Sequence, residues 1–292
     1  VGCVQTQRAW RRRDGQGITF RFNEGFSDQP IEFKCGKCLG CRRVKAQAWA
    51  LRIVHEAQMH ERNCFLTLTI DEENMPEDRS LDVRHWQLFA KRLRQKAGPF
   101  RHFYSGEYGE KYDRPHYHAC IFGLDMRIGA CIFSGDGSSP LWRSPILDDI
   151  WGMGHVAIGE LEYGSAQYTA KYLVKSQREQ DLDSKMGTRK AEYISMSRRP
   201  GIGASWINEY KWDAFSDNYL THQGKRHAVP KYYEKVLTDG ELEAWKDKTQ
   251  VQLRKWIDSG EGTWERRETK ERILEIQKKK KDRKKELINE NF

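Results

Sequence analysis

No stretch of the 292 residues approaches the ~20 consecutive apolar residues that a membrane-spanning helix needs, so no membrane partner is expected. Residues 1–13 carry no apolar core and no secretory-signal pattern. The first residue is Val and not an initiator Met, so the natural chain is expected to begin earlier. A G-x-x-x-x-G-K-[ST] phosphate loop is missing, which argues against a built-in nucleotide-driven motor. Cysteine is sparse. There are seven, an odd number, and three of them fall together at Cys35, Cys38 and Cys41, which argues against a disulfide framework and for a reducing compartment. No internal repeat is present.

What the chain has in excess is positive charge. Fifty-one Lys and Arg against 42 Asp and Glu give a formal net charge of +9, which suits a polyanionic partner. Ten Trp, twelve Tyr and twelve Phe accompany these cations. Rings interleaved with cations fit single-stranded nucleic acid, where bases stack and phosphates pair. For any single ring, a place in the core is the plainer reading.

Periodicity supplies the elements. Residues 42–61 read as a helix, with Trp49, Ile53, Ala57 and Met59 near helical spacing and Arg52 and Glu56 four apart. Cys64–Ile70 (CFLTLTI) reads as a buried strand. Asp82–Lys96 reads as a helix with Val83, Trp86, Phe89, Ala90 and Leu93 on one face, stopped by Gly98-Pro99. Arg101–Tyr108, His116–Phe122 and Gly154–Leu161 follow as strands. Tyr163–Ser176 follows as a helix that Ser165 is placed to cap. A strand is also expected at Ile18–Phe22, and a loop or insertion at 134–145. This order predicts an α+β fold, an antiparallel β-sheet with helices on one face. The expected domains are a Cys-cluster segment and helix (1–62), a core (63–180), a C-terminal extension (181–263) and a basic tail, helical or disordered (264–292).

Two constellations carry chemistry. On a strand, His116 and His118 point to the same face. If the preceding strand forms a hairpin with theirs, Glu107 lies opposite them. Two imidazoles and a carboxylate form a hard site that suits Mg²⁺ or Mn²⁺. Taken alone, H-x-H is common, and a pair of exposed histidines on a solvated sheet face reads the same way. On the later helix, Tyr168 and Tyr172 are one turn apart with Lys171 beside them. A phenol titrates near ~10 and needs a cation or metal to act as a nucleophile. Its attack on a phosphodiester would give a 5′-phosphotyrosine and a free 3′-hydroxyl. In isolation, an amphipathic stripe packed on a sheet is the plainer reading of Tyr168, Tyr172 and Leu173.

Cys35, Cys38 and Cys41 could hold zinc with a fourth ligand such as Cys3, or remain free thiols. An iron–sulfur run of this spacing wants a further Cys where Lys45 stands. Arg42 and Arg43 beside the cluster, with Arg114 and Lys175, are candidate DNA contacts. From 278 to 285 there are seven Lys or Arg and one Asp, a solvated tail or a DNA-contacting arm.

Read together, CFLTLTI, GEYGEKYDRPHYHACIFG and YTAKYLVK occur in the order of the HUH endonucleases. More closely, with CGKCLGCRRVKAQAWALRIVHEA and SMSRRPGIGASWI, the chain resembles the replication initiators of gokushovirus-type microviruses, small single-stranded DNA bacteriophages. The likeness covers residues 30–235. It implies a sheet similar to an RNA-recognition fold, His116, His118 and Glu107 as metal ligands, Tyr168 as nucleophile with Lys171, and Tyr172 as second tyrosine. It further implies rolling-circle initiation on single-stranded or origin DNA in the cytoplasm of a bacterial host, with a host helicase and polymerase as partners. Rival expectations are a transposase or plasmid initiator of the same chemistry, a hydrolytic nuclease with water as nucleophile, and a non-catalytic zinc-containing nucleic-acid-binding protein.

Overall fold

The computed structural model describes residues 3, 6–109, 112–134, 140–170 and 189–290. The backbone divides into two compact units, Val1–Lys45 with Glu243–Phe292, and Ala46–Leu242. Among the described residues, no helix is long and apolar enough to cross a membrane.

The first unit contains a three-stranded antiparallel sheet of β1 (Gln7–Arg12), β2 (Ile18–Thr19) and β3 (Gly25–Phe33), ordered β2-β1-β3. The strand expected at Ile18–Phe22 ends at Thr19, and Phe22–Glu24 form a 3-10 turn instead. Helix α1 (Leu39–Gln58) starts three residues earlier than its apolar spacing indicated. The same unit holds most of α7 (Asp239–Asp258) and all of α8 (Trp264–Glu290), so of the two readings for the C-terminal segment the helix is the one found.

The second unit is built on a seven-stranded, wholly antiparallel sheet. Its strands are β4 (Asn63–Thr69), β5 (Arg101–Tyr108), β6 (Pro115–Phe122), β7 (Cys131–Ser134), β8 (Leu141–Arg143), β9 (Val156–Gly159) and β10 (Tyr193–Met196). They lie in the order β10-β5-β6-β4-β9-β8-β7. The stretch expected as a loop at 134–145 follows β7 and contains β8, which pairs with it.

Strand alternation sorts the side chains onto two layers. Cys64, Leu66 and Leu68 of β4, Tyr117, Ala119 and Ile121 of β6, and Val156 and Ile158 of β9 face one side. There they bury Trp86, Phe89, Ala90 and Leu93 of α2 (Val83–Ala97) and Leu147, Ile150 and Trp151 of α3 (Pro145–Trp151). Each buried Leu, Ile, Val or Phe among them contributes about 1.5–3 kcal/mol by leaving water. Helix α2 starts where the Asp82 carboxylate accepts the Arg84 N–H at 2.8 Å and stops at Gly98, whose φ is 91°.

The opposite face receives a second helical layer. Ala50 and Ile53 of α1 and Ala166 and Ala170 of α4 (residues 163–170) pack on Phe103, Cys120 and Phe122. Two alanines one turn apart let α4 approach the sheet closely. Ser165 does not cap this helix in the expected way. It sits in the first turn, and its hydroxyl accepts the Glu162 N–H at 2.9 Å, which is the reciprocal half of a capping box. Arg52 and Glu56 do not bond each other. Both are buried. Arg52 donates to the Ile202 carbonyl at 3.0 Å, and Glu56 accepts the Gly203 N–H at 2.7 Å and the Arg101 guanidinium at 2.5 Å.

Two histidines of this unit, His55 against Trp206 and His102 against Trp86, have depressed pKa values. Burial, and then His222, lowers the pKa of His55 to about 3; burial, then Arg94 and Arg101, lowers that of His102 to about 4. Both groups sit near ~6.5 when the chain unfolds. The unfolded chain therefore binds more protons below that value. The stability these neutral histidines contribute is complete above pH ~6.5 and is lost as pH falls through the window toward 4 and 3. Thermal unfolding is expected to show a melting temperature that declines steadily from pH 7 to pH 4.5. A flat profile over that range would contradict the assignment.

Candidate active site and a second metal-ligand cluster

Register places the site. Strand β6 pairs with β5 so that His116 faces Glu107 and His118 faces Ser105, and with β4 so that His118 faces Thr67 and His116 faces Thr69. All six side chains thus stand on the sheet face that α4 covers in part. Gly154, at φ 145°, holds the far side of β4 in place. A Cβ there would lie 2.5 Å from the Thr69 carbonyl oxygen, so only glycine lets the chain pass.

The ligand atoms of Glu107, His116 and His118 all lie within 4.8 Å of one another. His118 Nε2 is 3.4 Å from Glu107 Oε1, and His116 Nε2 is 3.8 Å from Oε2. The Ser105 hydroxyl donates to Oε1 at 3.2 Å. Glu107 is only 1% exposed and His118 8%. The other ring nitrogens are tied back: His116 Nδ1–H donates to the Arg114 carbonyl at 3.1 Å, and His118 Nδ1 bonds the Thr67 hydroxyl at 3.0 Å. A ring that donates from Nδ1 presents a lone pair at Nε2, and Nε2 is the atom turned to the carboxylate in both. Burial lowers both imidazole pKa values, that of His118 to about 3 with His116 adding to the effect, so both rings are neutral at neutral pH. Phe65 stacks on His118 at 5.6 Å and 11°.

These residues fit a hard divalent ion. Ligands sharing one octahedral ion at ~2.1 Å lie about 3 Å apart, close to the 3.4 and 3.8 Å found here. Two neutral nitrogens and one buried carboxylate leave further coordination positions for substrate oxygens and water.

Tyr168 stands beside this group. Its ring meets the His118 ring edge-on, with centroids 5.0 Å apart and planes at 87°. Tyr168 as a residue is 36% exposed. Thr169, next in sequence, is buried and donates to the Ser165 carbonyl at 3.0 Å. Lys171, Tyr172 and Lys175 lie outside the described residues.

Of the other expected DNA contacts, Arg114 is engaged locally. It donates to the Ile70 carbonyl at 2.9 Å and pairs with Glu72 at 3.3 Å while remaining half-exposed. Arg43 is exposed on the first turn of α1, and Arg42 is partly buried there. Sequence reading passed over Thr67 and Ser105. The alternation in CFLTLTI carries the signal for the first, since it sets Thr67 and Thr69 on the polar side of the strand. Thr67 acts through His118, as a positioning residue. Thr67→Val keeps the shape and removes the hydroxyl, and it should weaken Mn²⁺ binding by about 10–100-fold in calorimetric titration, with the melting temperature of the metal-free protein little changed. Unchanged affinity would remove Thr67 from the site.

A second group of metal-ligand type lies in the first unit. The sulfur atoms of Cys3, Cys35, Cys38 and Cys41 all fall within 4.8 Å of one another. Cys3 and Cys38 are buried, and Cys35 and Cys41 partly so. Burial raises the Cys35 thiol, but N–H donation from Cys38 and Lys37 outweighs it and brings the group down to about 7.

A family model described as replication-associated protein ORF2/G2P matches residues 63–177, a span that takes in β4, β5, β6, β9 and α4. The chain is 31% identical over 226 residues to replication-associated protein VP4 of Bdellovibrio phage phiMH2K, covering 73% of this chain and 70% of that protein. It is 31% identical over 215 residues to replication-associated protein ORF2 of Spiroplasma virus 4, covering 69% and 66%. It is 27% identical over 213 residues to replication-associated protein ORF4 of Chlamydia phage 1, covering 70% and 53%. No solved structure matches the chain. The chain belongs to the phage replication-associated proteins, the replication initiators of microvirus type.

Proposed function

We propose that this protein opens rolling-circle replication by cutting one strand of single-stranded or melted origin DNA, with Tyr168 as nucleophile. The observation that carries this reading is the edge-on contact of Tyr168 with His118, which sets a part-exposed tyrosine beside the Glu107–His116–His118 group. Mg²⁺ or Mn²⁺ held by these three residues would neutralise charge on the transferring phosphoryl group and orient it for in-line attack.

The chain's own residues do the rest. The tyrosyl oxygen–phosphorus bond forms as the bond from phosphorus to the 3′-oxygen breaks. The phenol proton passes to solvent, and the leaving 3′-oxygen takes one up. One phosphodiester replaces another, so the strand is rejoined later by the reverse step with no nucleotide consumed. Lys171 supplies a cation for the phenolate, and Tyr172, four residues on in sequence, serves the second transfer. Arg42, Arg43, Arg114 and Lys175 contribute phosphate contacts. The freed 3′-hydroxyl primes a host polymerase, a host helicase opens the duplex, and the work takes place in the bacterial host cytoplasm.

The ends of the cut DNA test this reading. After protease digestion, the downstream fragment should keep a tyrosyl peptide and migrate more slowly than a synthetic 5′-phosphate marker, while a polymerase extends the upstream 3′ end. A downstream fragment that runs with the 5′-phosphate marker would assign the cut to water, the hydrolytic-nuclease alternative.

A further inference from the structure

We infer that Cys3, Cys35, Cys38 and Cys41 form a closed, structural zinc site, separate from the Glu107–His116–His118 group. A tetrahedral ion with Zn–S bonds of ~2.3 Å spaces its sulfur atoms about 3.8 Å apart. Cys3 Sγ and Cys38 Sγ are 3.9 Å apart, and the four sulfurs fall within 4.8 Å. That spacing is far beyond the ~2.05 Å of a disulfide. It is also tighter than a four-iron cube allows, because each cysteine there binds a different iron. A set of four soft sulfur ligands selects zinc over the hard ions that suit Glu107 and the histidines.

The surroundings are those of thiolates. Cys3 Sγ accepts the Cys35 N–H at 3.1 Å. Cys35 Sγ accepts two, from Lys37 at 3.4 Å and Cys38 at 3.2 Å. Cys38 Sγ accepts the Cys41 N–H at 3.5 Å, across the first turn of the 20-residue helix α1. Peptide N–H groups directed at sulfur are the second shell that holds such ligands in place. Binding exchanges four thiol protons for four Zn–S bonds, leaving a centre of formal charge −2. The positive end of α1 and the Arg267 guanidinium, which donates to the Cys3 carbonyl at 3.1 Å, face that charge. Glu271 of α8 accepts the Leu39 N–H at 3.1 Å just after the cluster. The site therefore ties the segment before β1, the β3–α1 turn and α8 to one another inside the first unit.

The full chain, purified without chelator, should carry one zinc per molecule by elemental analysis. Zinc should survive dialysis against a mild chelator and the double substitution His116→Ala/His118→Ala. Cobalt exchange into the unmutated chain should give the intense sulfur-to-metal absorption of a tetrahedral tetrathiolate, which does not depend on a variant folding. Cys38→Ser should lose the zinc, Cys38→His should keep it, and Cys131→Ser should change nothing. Less than about a tenth of a zinc per chain, four thiols that titrate freely in the native protein, a disulfide among them, iron in place of zinc, or zinc lost with the histidines but kept in Cys38→Ser would each overturn the assignment.

Discussion

Replacing both tyrosines, Tyr168→Phe with Tyr172→Phe, is expected to lower covalent protein–DNA adduct formation to the detection floor, by on the order of 10⁴-fold or more, as removal of a nucleophile does. The substitution is mild. The Tyr168 ring would keep its edge-on contact with His118, because only the hydroxyl is removed. Origin binding measured by anisotropy should change by no more than a few-fold, since phosphate contacts by Lys and Arg dominate affinity. Tyr168→Phe alone should remove the first cut while leaving whatever transfer Tyr172 performs on a pre-nicked strand. Adduct at ordinary yield in the double variant would show that neither phenol attacks.

Glu107→Gln has the second-largest expected effect, on metal binding. Glu107 is buried between both histidines, and its charge is what makes the group attractive to a hard dication. Removing the charge at constant volume should weaken Mn²⁺ binding by at least about 100-fold, because charge count sets affinity in oxygen-rich sites. Stability separates this from a folding defect. An ion that binds only the folded state raises stability by about 2.7 kcal/mol at one hundred times its dissociation constant. The wild-type protein should thus melt higher with added Mn²⁺, and Glu107→Gln should lose that rise. Without metal, Glu107→Gln should melt at or slightly above wild type, since a buried charge has been removed. A variant that melts lower without metal yet keeps the Mn²⁺-dependent rise would make Glu107 a structural residue.

The sheet core and the grouping of Glu107, His116 and His118 were readable because strand side chains alternate with a fixed period of two. Arg101–Tyr108 and His116–Phe122 were bounded almost to the residue, and their pairing brought Glu107 opposite His116 as a hairpin requires. The helix over 83–97 was legible from one apolar face, although Asp82, read as its first residue, is the cap before it. What escaped was non-local. The sheet of β1, β2 and β3 has long-range partners and mixed burial that no local period announces. Strand β10 lies in a dense run of charge, and its place beside β5 is set by tertiary pairing, Tyr193 opposite Gly106. The early start of α1 escaped because Leu39 and Gly40 do not continue the apolar spacing of the helix; tertiary contacts, including the Leu39 N–H to Glu271, fix that end. Thr67 went unnoticed for a different reason: a threonine in a strand is unremarkable until the register places it against His118 Nδ1.

The central claim, tyrosine attack assisted by a metal at His116, His118 and Glu107, is tested most directly by one gel. The full chain is incubated with single-stranded DNA carrying the origin, labelled at its 3′ end so that the downstream fragment carries the label, with Mn²⁺, and run under denaturing conditions. A labelled band at the mass of the protein plus DNA, resistant to boiling and absent when EDTA is added first, is the predicted result. Cut DNA with no label on the protein, or a labelled band that forms equally well in EDTA, would contradict it.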